Sequence, residues 1–281
     1  MKPTQPKPRS VRSEDTGPSK ASGRSKSKPV KARIDQLMVD RGLATSRDEA
    51  SRWIMAGLVL VEDQRIDKPG TKISETAAIR VKHKAHAYVS RGGLKLEGAL
   101  NHWGIDVEGT TALDLGSSTG GFTDCLLKRG AKKVYAVDVG TNQLDYRLRA
   151  DTRVISLEQT HARELDTKLV PDAIEVLTVD VSFTSLTYVL PFVLPLLKKG
   201  AACLCLFKPQ FEVPRSAVGE GGVVTNETAI QQALKAGLAW LEEHGLQVVG
   251  KIKSPIKGRE GNQEYLLWAR FTGAVKTSGK S

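Results

Sequence analysis

Residues 113–124 read LDLGSSTGGFTD. The preceding residues extend the apolar run to TALDL, which reads as a strand, and FTDCLLKRG, from Phe122 to Gly130, reads as a helix. Between them Gly116, Ser117, Ser118, Thr119, Gly120 and Gly121 make a glycine-rich turn, where the backbone can approach a ligand closely. The spacing is GxxxGG. It fits neither the GxGxxG dinucleotide fingerprint nor, lacking GK[ST], a phosphate-binding P-loop. An acid, Asp138, closes the next strand, KKVYAVDVG, 22 residues after Gly116. In doubly wound sheets an acid placed there can bind ribose hydroxyls. Asp114, before the turn, can orient the loop.

Downstream, strands and helices alternate. EVLTVDVSF reads as a strand, SLTYVLPFVLPLL as a proline-interrupted helix and GAACLCLF as a strand buried on both faces. TNETAIQQALKAGLAWLEEHG reads as a long helix, capped by Thr225 or Asn226 and ended by Gly245. LQVVGKIKSPI and EYLLWARF are the last strands. Repeated βα units predict an α/β fold with a mostly parallel, doubly wound, Rossmann-like sheet.

Such sheets bind ligands at the carboxyl ends of their strands. Asp180 ends LTVD, and Lys208 ends CLCLFK before a proline. Lysine is rarely buried unpaired, because desolvating its charge is costly. Glu264 opens EYLLWARF and faces the same edge if that strand is antiparallel. Lys95, on a helix GLKLEGALNHWG ahead of the first strand, can reach the same edge. Each residue alone has a plain structural reading as a surface lysine or a strand end. Four of them at one edge read as a constellation.

The chain carries a formal charge of +11. Residues 1–30 hold eight Lys/Arg and two acids, residues 31–91 twelve and eight, and the remaining 190 residues 22 and 21. Basicity concentrated in the first third points to a polyanionic partner. Residues 1–30, rich in Pro, Ser, Lys and Arg, read as a disordered basic tail. Residues 31–82 read as a small α+β unit. KARIDQLMVDRG places Ile34, Leu37, Met38 and Arg41 along one helical face. Ser46 is an N-cap candidate with Glu49 three residues on, and Ala50, Trp53 and Ile54 form the next apolar face. Short strands follow, with turns at EDQ and KPG. Arg33, Arg41, Arg47 and Arg52 lie on the helices. Residues 83–92 read as a linker, 93–272 as the large domain and 273–281 as a flexible tail.

Three cysteines, Cys125, Cys203 and Cys205, form no disulfide framework and read as core thiols; no zinc or other metal site is expected. The chain's start has no apolar stretch, and no run of eighteen apolar residues occurs. The expectation is a cytoplasmic protein that does not insert into membranes.

Two resemblances join these readings. D-x-G-x-x-x-G with an acid on the next strand resembles the S-adenosylmethionine site of class I methyltransferases. RIDQLMVDRGLATSRDEASRWIMAGLVLV with RIDKPGTKI resembles the S4-like RNA-binding domain, with Glu62 and Asp63 standing where the usual turn has Asn and Gly. Lys95, Asp180, Lys208 and Glu264 then match the tetrad of FtsJ-like RNA ribose 2′-O-methyltransferases. SRGGLKLEGAL, VYAVDVG, TVDVSF, LFKPQFE and EGNQEYLLW extend the resemblance to the TlyA (hemolysin A) family over residues 31–272. It implies an enzyme methylating cytidine 2′-hydroxyls of small- and large-subunit ribosomal RNA, with ribosomal subunits rather than DNA as partners. A neutral Lys208 would take the hydroxyl proton, Asp180 would orient it, and Glu264 would hold the ribose or balance the two lysines. The long loop after Lys208, PQFEVPRSAVGEGGVV, can close over RNA, with Phe211 stacking on a base and Arg215 meeting a phosphate. The alternatives are a non-catalytic RNA-binding protein, whose signature would be a missing tetrad member, and a cytolysin, which should show an insertion segment.

Overall fold

A computed structural model of the chain describes residues 30–44, 46–81 and 87–273. The expected N-terminal tail, the first part of the linker and the C-terminal tail from residue 274 lie outside the described residues. The chain forms two compact units, divided between residues 84 and 85.

The first unit runs β1 (Lys31–Arg33), α1 (Ile34–Asp40), α2 (Arg47–Met55), β2 (Val59–Val61), β3 (Gln64–Ile66), β4 (Lys72–Ser74) and β5 (Ile79–Val81). β1 pairs with β4, and β2 is the centre of an antiparallel β3-β2-β5 sheet. Ile34, Leu37 and Met38 of α1 pack with Ala50 and Ile54 of α2 and with Val59, each buried. Burial of such a side chain contributes about 1.5–3 kcal/mol. Ser46 caps α2 by accepting the Glu49 amide at 3.2 Å. Arg41, expected along the same helical face as Ile34, Leu37 and Met38, instead follows α1 as its exposed C-cap. The β2–β3 turn is Glu62-Asp63, with φ of 48° and 64°. This left-handed pair favours Asn-Gly in hairpins. Here the acids are tied down instead: Glu62 accepts the Ala78 amide at 2.7 Å and Asp63 pairs with Arg80 at 2.6 Å.

The second unit carries α3 (Gly92–Trp103), β6 (Thr111–Leu115), α4 (Gly121–Lys128), β7 (Lys133–Val137), α5 (Tyr146–Arg149), β8 (Val154–Leu157), β9 (Ile174–Val179), α6 (Leu186–Val193), β10 (Leu197–Phe207), α7 (Pro209–Glu212), α8 (Glu227–Glu243), β11 (Leu246–Lys253) and β12 (Tyr265–Phe271). Its seven strands lie in the order β11-β12-β10-β9-β6-β7-β8. From β10 to β8 all neighbours are parallel, whereas β12 runs antiparallel to both β10 and β11. β6 is flanked by β7 on one side and β9 on the other, so the chain reverses direction across the sheet at β6, and a crevice opens at its carboxyl end. Leu113, Leu177, Cys203, Cys205 and Leu267 pack one core and Ala112, Val134, Val176, Leu204 and Leu266 the other, by the two-residue alternation of the strands. The three cysteines are buried and free. Pro191 sits inside α6, and a 3-10 turn containing the second proline follows it.

Two sequence expectations change. β8, four residues at the sheet edge, escaped the pattern because its burial does not alternate and Ile155 is exposed. The segment after Lys208 is not an open loop. α7 begins at once with Pro209 as its first residue, and 3-10 turns follow at Arg215–Ala217 and Glu220–Gly222. Glu212 anchors α7 by accepting the Leu186 amide at 2.8 Å and the Ser185 hydroxyl at 2.7 Å. Burial pushes its carboxyl up from the usual range.

Candidate active site

The turn after β6 is shaped by its neighbours. Gly116 has φ +83°, and a Cβ there would lie 2.6 Å from the carbonyl oxygen of Asp180. A Cβ at Gly121 would lie 2.9 Å from the Gly93 amide nitrogen, so α3 and α4 approach through this glycine. Gly120, φ +93°, ends the turn as the left-handed N-cap of α4 and packs against Leu144 and Leu148. The Ser117 amide bonds to Val137 at 3.0 Å, tying the turn to β7. Asp138, beyond β7, accepts from the Ser118 amide at 2.8 Å through one oxygen and from the Gly140 amide at 2.7 Å through the other.

Asp114 plays a different part from a ligand-facing acid. It is fully buried and accepts the hydroxyls of Thr123 at 2.7 Å and Thr178 at 2.8 Å, bolting β6 to α4 and β9. Burial pushes its carboxyl up to about 6. Neither Asp114 nor Gly120 lines a cavity; both act on the turn from behind.

Two cavities meet at this turn. The larger, about 630 Å³, is bounded by Leu115, Gly116, Val137, Asp138 and Val181, with Thr160, His161 and Ala162 opposite. The smaller, about 330 Å³, runs from Ser117, Ser118, Thr119 and Gly121 to Ser90, Arg91 and Lys95 of the α3 entry. Gly116, Ser118, Asp180 and Arg259 border both. The sequence singled out the glycine turn, Asp138, Lys95 and Asp180, but not His161, Ala162 or Arg259. His161 and Ala162 open a single 3-10 turn and Arg259 sits on a loop, none with a periodic signal.

The four candidate polar residues converge on this edge as two ion pairs. Lys95 Nζ lies 2.6 Å from Glu264 Oε2, with the glutamate side chain 3% exposed. Lys208 Nζ lies 2.7 Å from Asp180 Oδ1 and donates to Ser182 Oγ at 2.8 Å. The Lys208–Asp180 approach is a charge contact without hydrogen-bond alignment, so Asp180 Oδ1 is buried without a hydrogen-bond donor. Lys95 is therefore not a free cation beside Lys208: each lysine has its own carboxylate, and the four formal charges cancel. Antiparallel β12 brings Glu264 to the edge, as the expected strand direction requires. Ser182, two residues beyond Asp180, lies within the TVDVSF motif, whose reading assigns it no role of its own.

Phe183, next in the chain, is 92% exposed and has φ +62°. A bulky residue there is strained. Its ring centroid is 5.3 Å from that of Phe211 on α7, and with Tyr188 and Phe192 it borders the larger cavity. Arg215 lies in the 3-10 turn beyond α7 and makes no ion pair with a described residue.

In the first unit the arginines are more constrained than their spacing implied. Arg33 and Arg47 both hold the buried Asp35, at 2.7 and 3.1 Å. The hydrogen bond from Arg33 lowers that carboxyl to about 2. Arg41 donates to the carbonyls of Ala77, at 2.7 Å, and Glu75, fixing the β4–β5 turn. Arg52 is exposed on α2.

A parallel sheet reversed at β6, with a glycine turn and an acid on the next strand, defines a Rossmann-like methyltransferase fold with an S4-type unit ahead of it. The sequence profile described as FtsJ-like methyltransferase matches residues 88–271, and that of the S4 domain residues 32–79. The chain belongs to the FtsJ-like methyltransferase family, among relatives that carry the TlyA and hemolysin A names. It is 43% identical over 241 residues to the 16S/23S rRNA (cytidine-2′-O)-methyltransferase TlyA of Mycobacterium tuberculosis, covering 85% of this chain and 90% of that one. It is 42% identical over 235 residues to Hemolysin A of Brachyspira hyodysenteriae, covering 83% and 98%. A solved structure, "Putative hemolysin from Streptococcus thermophilus", superposes with a TM-score of 0.68 at 42% identity, over 88% of this chain and 90% of that one.

Proposed function

We propose that this protein transfers a methyl group from S-adenosylmethionine to the 2′-hydroxyl of a cytidine ribose in ribosomal RNA. The observation that carries the reading is the pair of ion pairs, Lys208–Asp180 and Lys95–Glu264, at the sheet edge beside the two cavities. The name of the Mycobacterium relative supports the choice of RNA and of atom.

The residues present fit the cofactor. A cavity of about 630 Å³ is in the range that holds a nucleoside with an amino-acid tail. Leu115, Val137 and Val181 offer an apolar floor to a purine, Asp138 has acceptor capacity left for ribose hydroxyls, and the Gly116–Gly121 turn presents little side-chain bulk. When bound, S-adenosylmethionine supplies an already activated methyl group. The work left to the protein is to place the ribose oxygen and remove its proton.

Asp180 Oδ1, buried and 2.7 Å from Lys208 Nζ, holds that amine toward the ribose oxygen. Lys208, once its ammonium has released a proton to solvent, takes the hydroxyl proton as the oxygen gains the methyl group. The resulting ammonium is held by Asp180 and Ser182. Lys95 and Glu264 fix the opposite wall, where Glu264 accepts from a ribose hydroxyl. Phe183 and Phe211 offer an aromatic platform to a base displaced from its stack. Residues 31–82 serve as the RNA-reading domain and 93–272 as the catalytic one, with Arg52 and Arg215 meeting phosphates and Arg33, Arg41 and Arg47 bracing the fold. The protein works in the cytoplasm on ribosomal subunits. Among the described residues no helix is long and apolar enough to cross a membrane.

The test is incubation of wild type and Lys208→Ala with radiolabelled S-adenosylmethionine and subunits from a strain lacking the enzyme. Label on cytidine ribose with wild type, reduced about 10²–10⁴-fold in the variant, is expected. No label from wild type on subunits or ribosomes would leave RNA binding alone. Equal label from both would remove Lys208 as the base.

A further inference from the structure

The tetrad is electrically balanced, yet an RNA strand entering this cleft brings a phosphate on either side of the target ribose. The arginines of the large unit divide by partner. Arg129, Arg147, Arg149 and Arg153 are each paired with an acid. Arg270 lies over the Trp268 ring. Arg91, Arg163, Arg215 and Arg259 form no ion pair with a described residue, and three of these four line the two cavities. Lys257, also unpaired, lines the smaller cavity beside Arg259. Lys257 and Arg259 stand on one loop, residues 254–264, between β11 and β12.

That loop is built to hold them still. Asn262, 1% exposed, donates to the Gly222 carbonyl at 2.8 Å and accepts the Val224 amide at 2.9 Å. The Gly258 amide bonds to the Asn262 carbonyl at 2.9 Å, and the Gly261 amide to Gly258 at 3.1 Å. The Ser254 amide bonds to the Glu264 carbonyl at 2.8 Å. Gly258, between the two cations, packs directly on the Glu264 carboxylate: a Cβ there would lie 2.6 Å from Glu264 Oε1. The cations thus ride on a turn whose position is registered to the tetrad glutamate. Glu260, next in the chain, is exposed and pairs with neither. Two exposed cations held at a cleft mouth with no acid of their own, on a backbone already ordered, are suited to an anion arriving with the substrate.

We propose that Lys257 and Arg259 form a phosphate clamp that seats the RNA backbone next to the target ribose at the mouth of the catalytic cleft. The inference rests on the reading of the site as an RNA methyltransferase and adds to it the residues that set the register of the strand. Arg259 also borders the cavity assigned to the cofactor, whose carboxylate is the other anion within its reach.

The experiment compares full-length wild type with Lys257→Gln, Arg259→Gln and the double variant. Binding to unmodified small and large subunits is measured at several salt concentrations, together with the dissociation constant for S-adenosylmethionine and steady-state kinetics. The clamp predicts that each substitution lowers the slope of log affinity against log salt by about 0.7–0.9. The double variant should raise the KM for RNA roughly tenfold while kcat and cofactor affinity hold, and Arg259→Lys should keep the slope. Weakened cofactor binding with an unchanged salt slope would overturn the proposal and assign Arg259 to the cofactor carboxylate. Unchanged values in both would reduce the pair to solvated surface charge. Because the salt slope needs no turnover, a wild type that binds RNA without methylating it would defeat the functional reading while the clamp is still decided.

Discussion

Phe207, the last residue of β10, stands opposite Tyr265, the first residue of β12, in the antiparallel register of the two strands. Lys208 therefore leaves one strand where Glu264 enters the other, and both are delivered to the edge reached by Asp180 from β9. The ladder, rather than any loop, sets the spacing of the site. This answers why a buried strand should end in a lysine: the ammonium is compensated by Asp180 and Ser182, and Pro209 starts a helix immediately behind it.

The Lys95–Glu264 pair should couple stability to activity. Removing one partner leaves the other charge shielded from water and uncompensated, so Glu264→Ala is expected to lower the unfolding free energy by about 3 kcal/mol. A Lys95→Met/Glu264→Ala double variant should recover much of that loss and still transfer no methyl groups. Denaturant titration of the full cycle is the check, and strictly additive single losses would show that the pair contributes no coupling.

Gly258→Ala should act on catalysis through Glu264. The backbone there is unstrained, so the effect is steric: the methyl meets a carboxylate that is itself held by Lys95. A displacement of this order costs up to about 10²-fold in rate. The expected result is a fall in kcat with normal cofactor affinity. A variant with wild-type kcat would show that the glutamate has room to move.

Asp114 predicts a pH-dependent stability. Its folded value of about 6 lies above the ordinary value near 3.9, so the native state keeps this proton longer than the unfolded chain does. That contribution is complete below about pH 4 and is lost as the pH rises through 6. Asp114→Asn, which does not titrate, should therefore gain on wild type by about 1.4 kcal/mol per pH unit between pH 4 and 6 and hold that gain above. Urea titrations at four pH values would reveal it, and parallel pH profiles for the two proteins would contradict it.

Phe183 should separate stability from function. Replacing a left-handed, solvent-facing phenylalanine with glycine relieves strain, so Phe183→Gly is expected to be as stable as wild type or more stable by up to about 1 kcal/mol. Its methyl transfer should fall, because the aromatic platform with Phe211 is gone. Melting temperature and kcat measured on the same preparation decide the matter, and full activity in the glycine variant would remove the stacking role.

Much of this architecture was legible because it rests on strong local signals. Continuous apolar strands, a glycine turn and polar residues at strand ends identified the sheet, its reversal and four convergent side chains. What escaped depends on distant neighbours. Nothing in the composition of VISL marks it as an edge strand. That Asp114 can orient the loop was legible, but not that it does so from within the core through Thr123 and Thr178. Arg33 and Arg47 look like a free basic face until the fold places Asp35 between them. Ser182, Phe183 and Arg259 belong to irregular segments, where exposure and backbone strain, rather than periodicity, mark a residue.

The sheet order has a further consequence for biosynthesis. β12 follows β11 in the chain but lies between β10 and β11 in the sheet. Until the ribosome has made β12, the partially synthesised chain has an open strand edge on β10, no seat for β11 and no partner for Lys95. Translation therefore arms the enzyme late. An incomplete polypeptide already carries its S4-type unit but lacks the glutamate that pairs with Lys95.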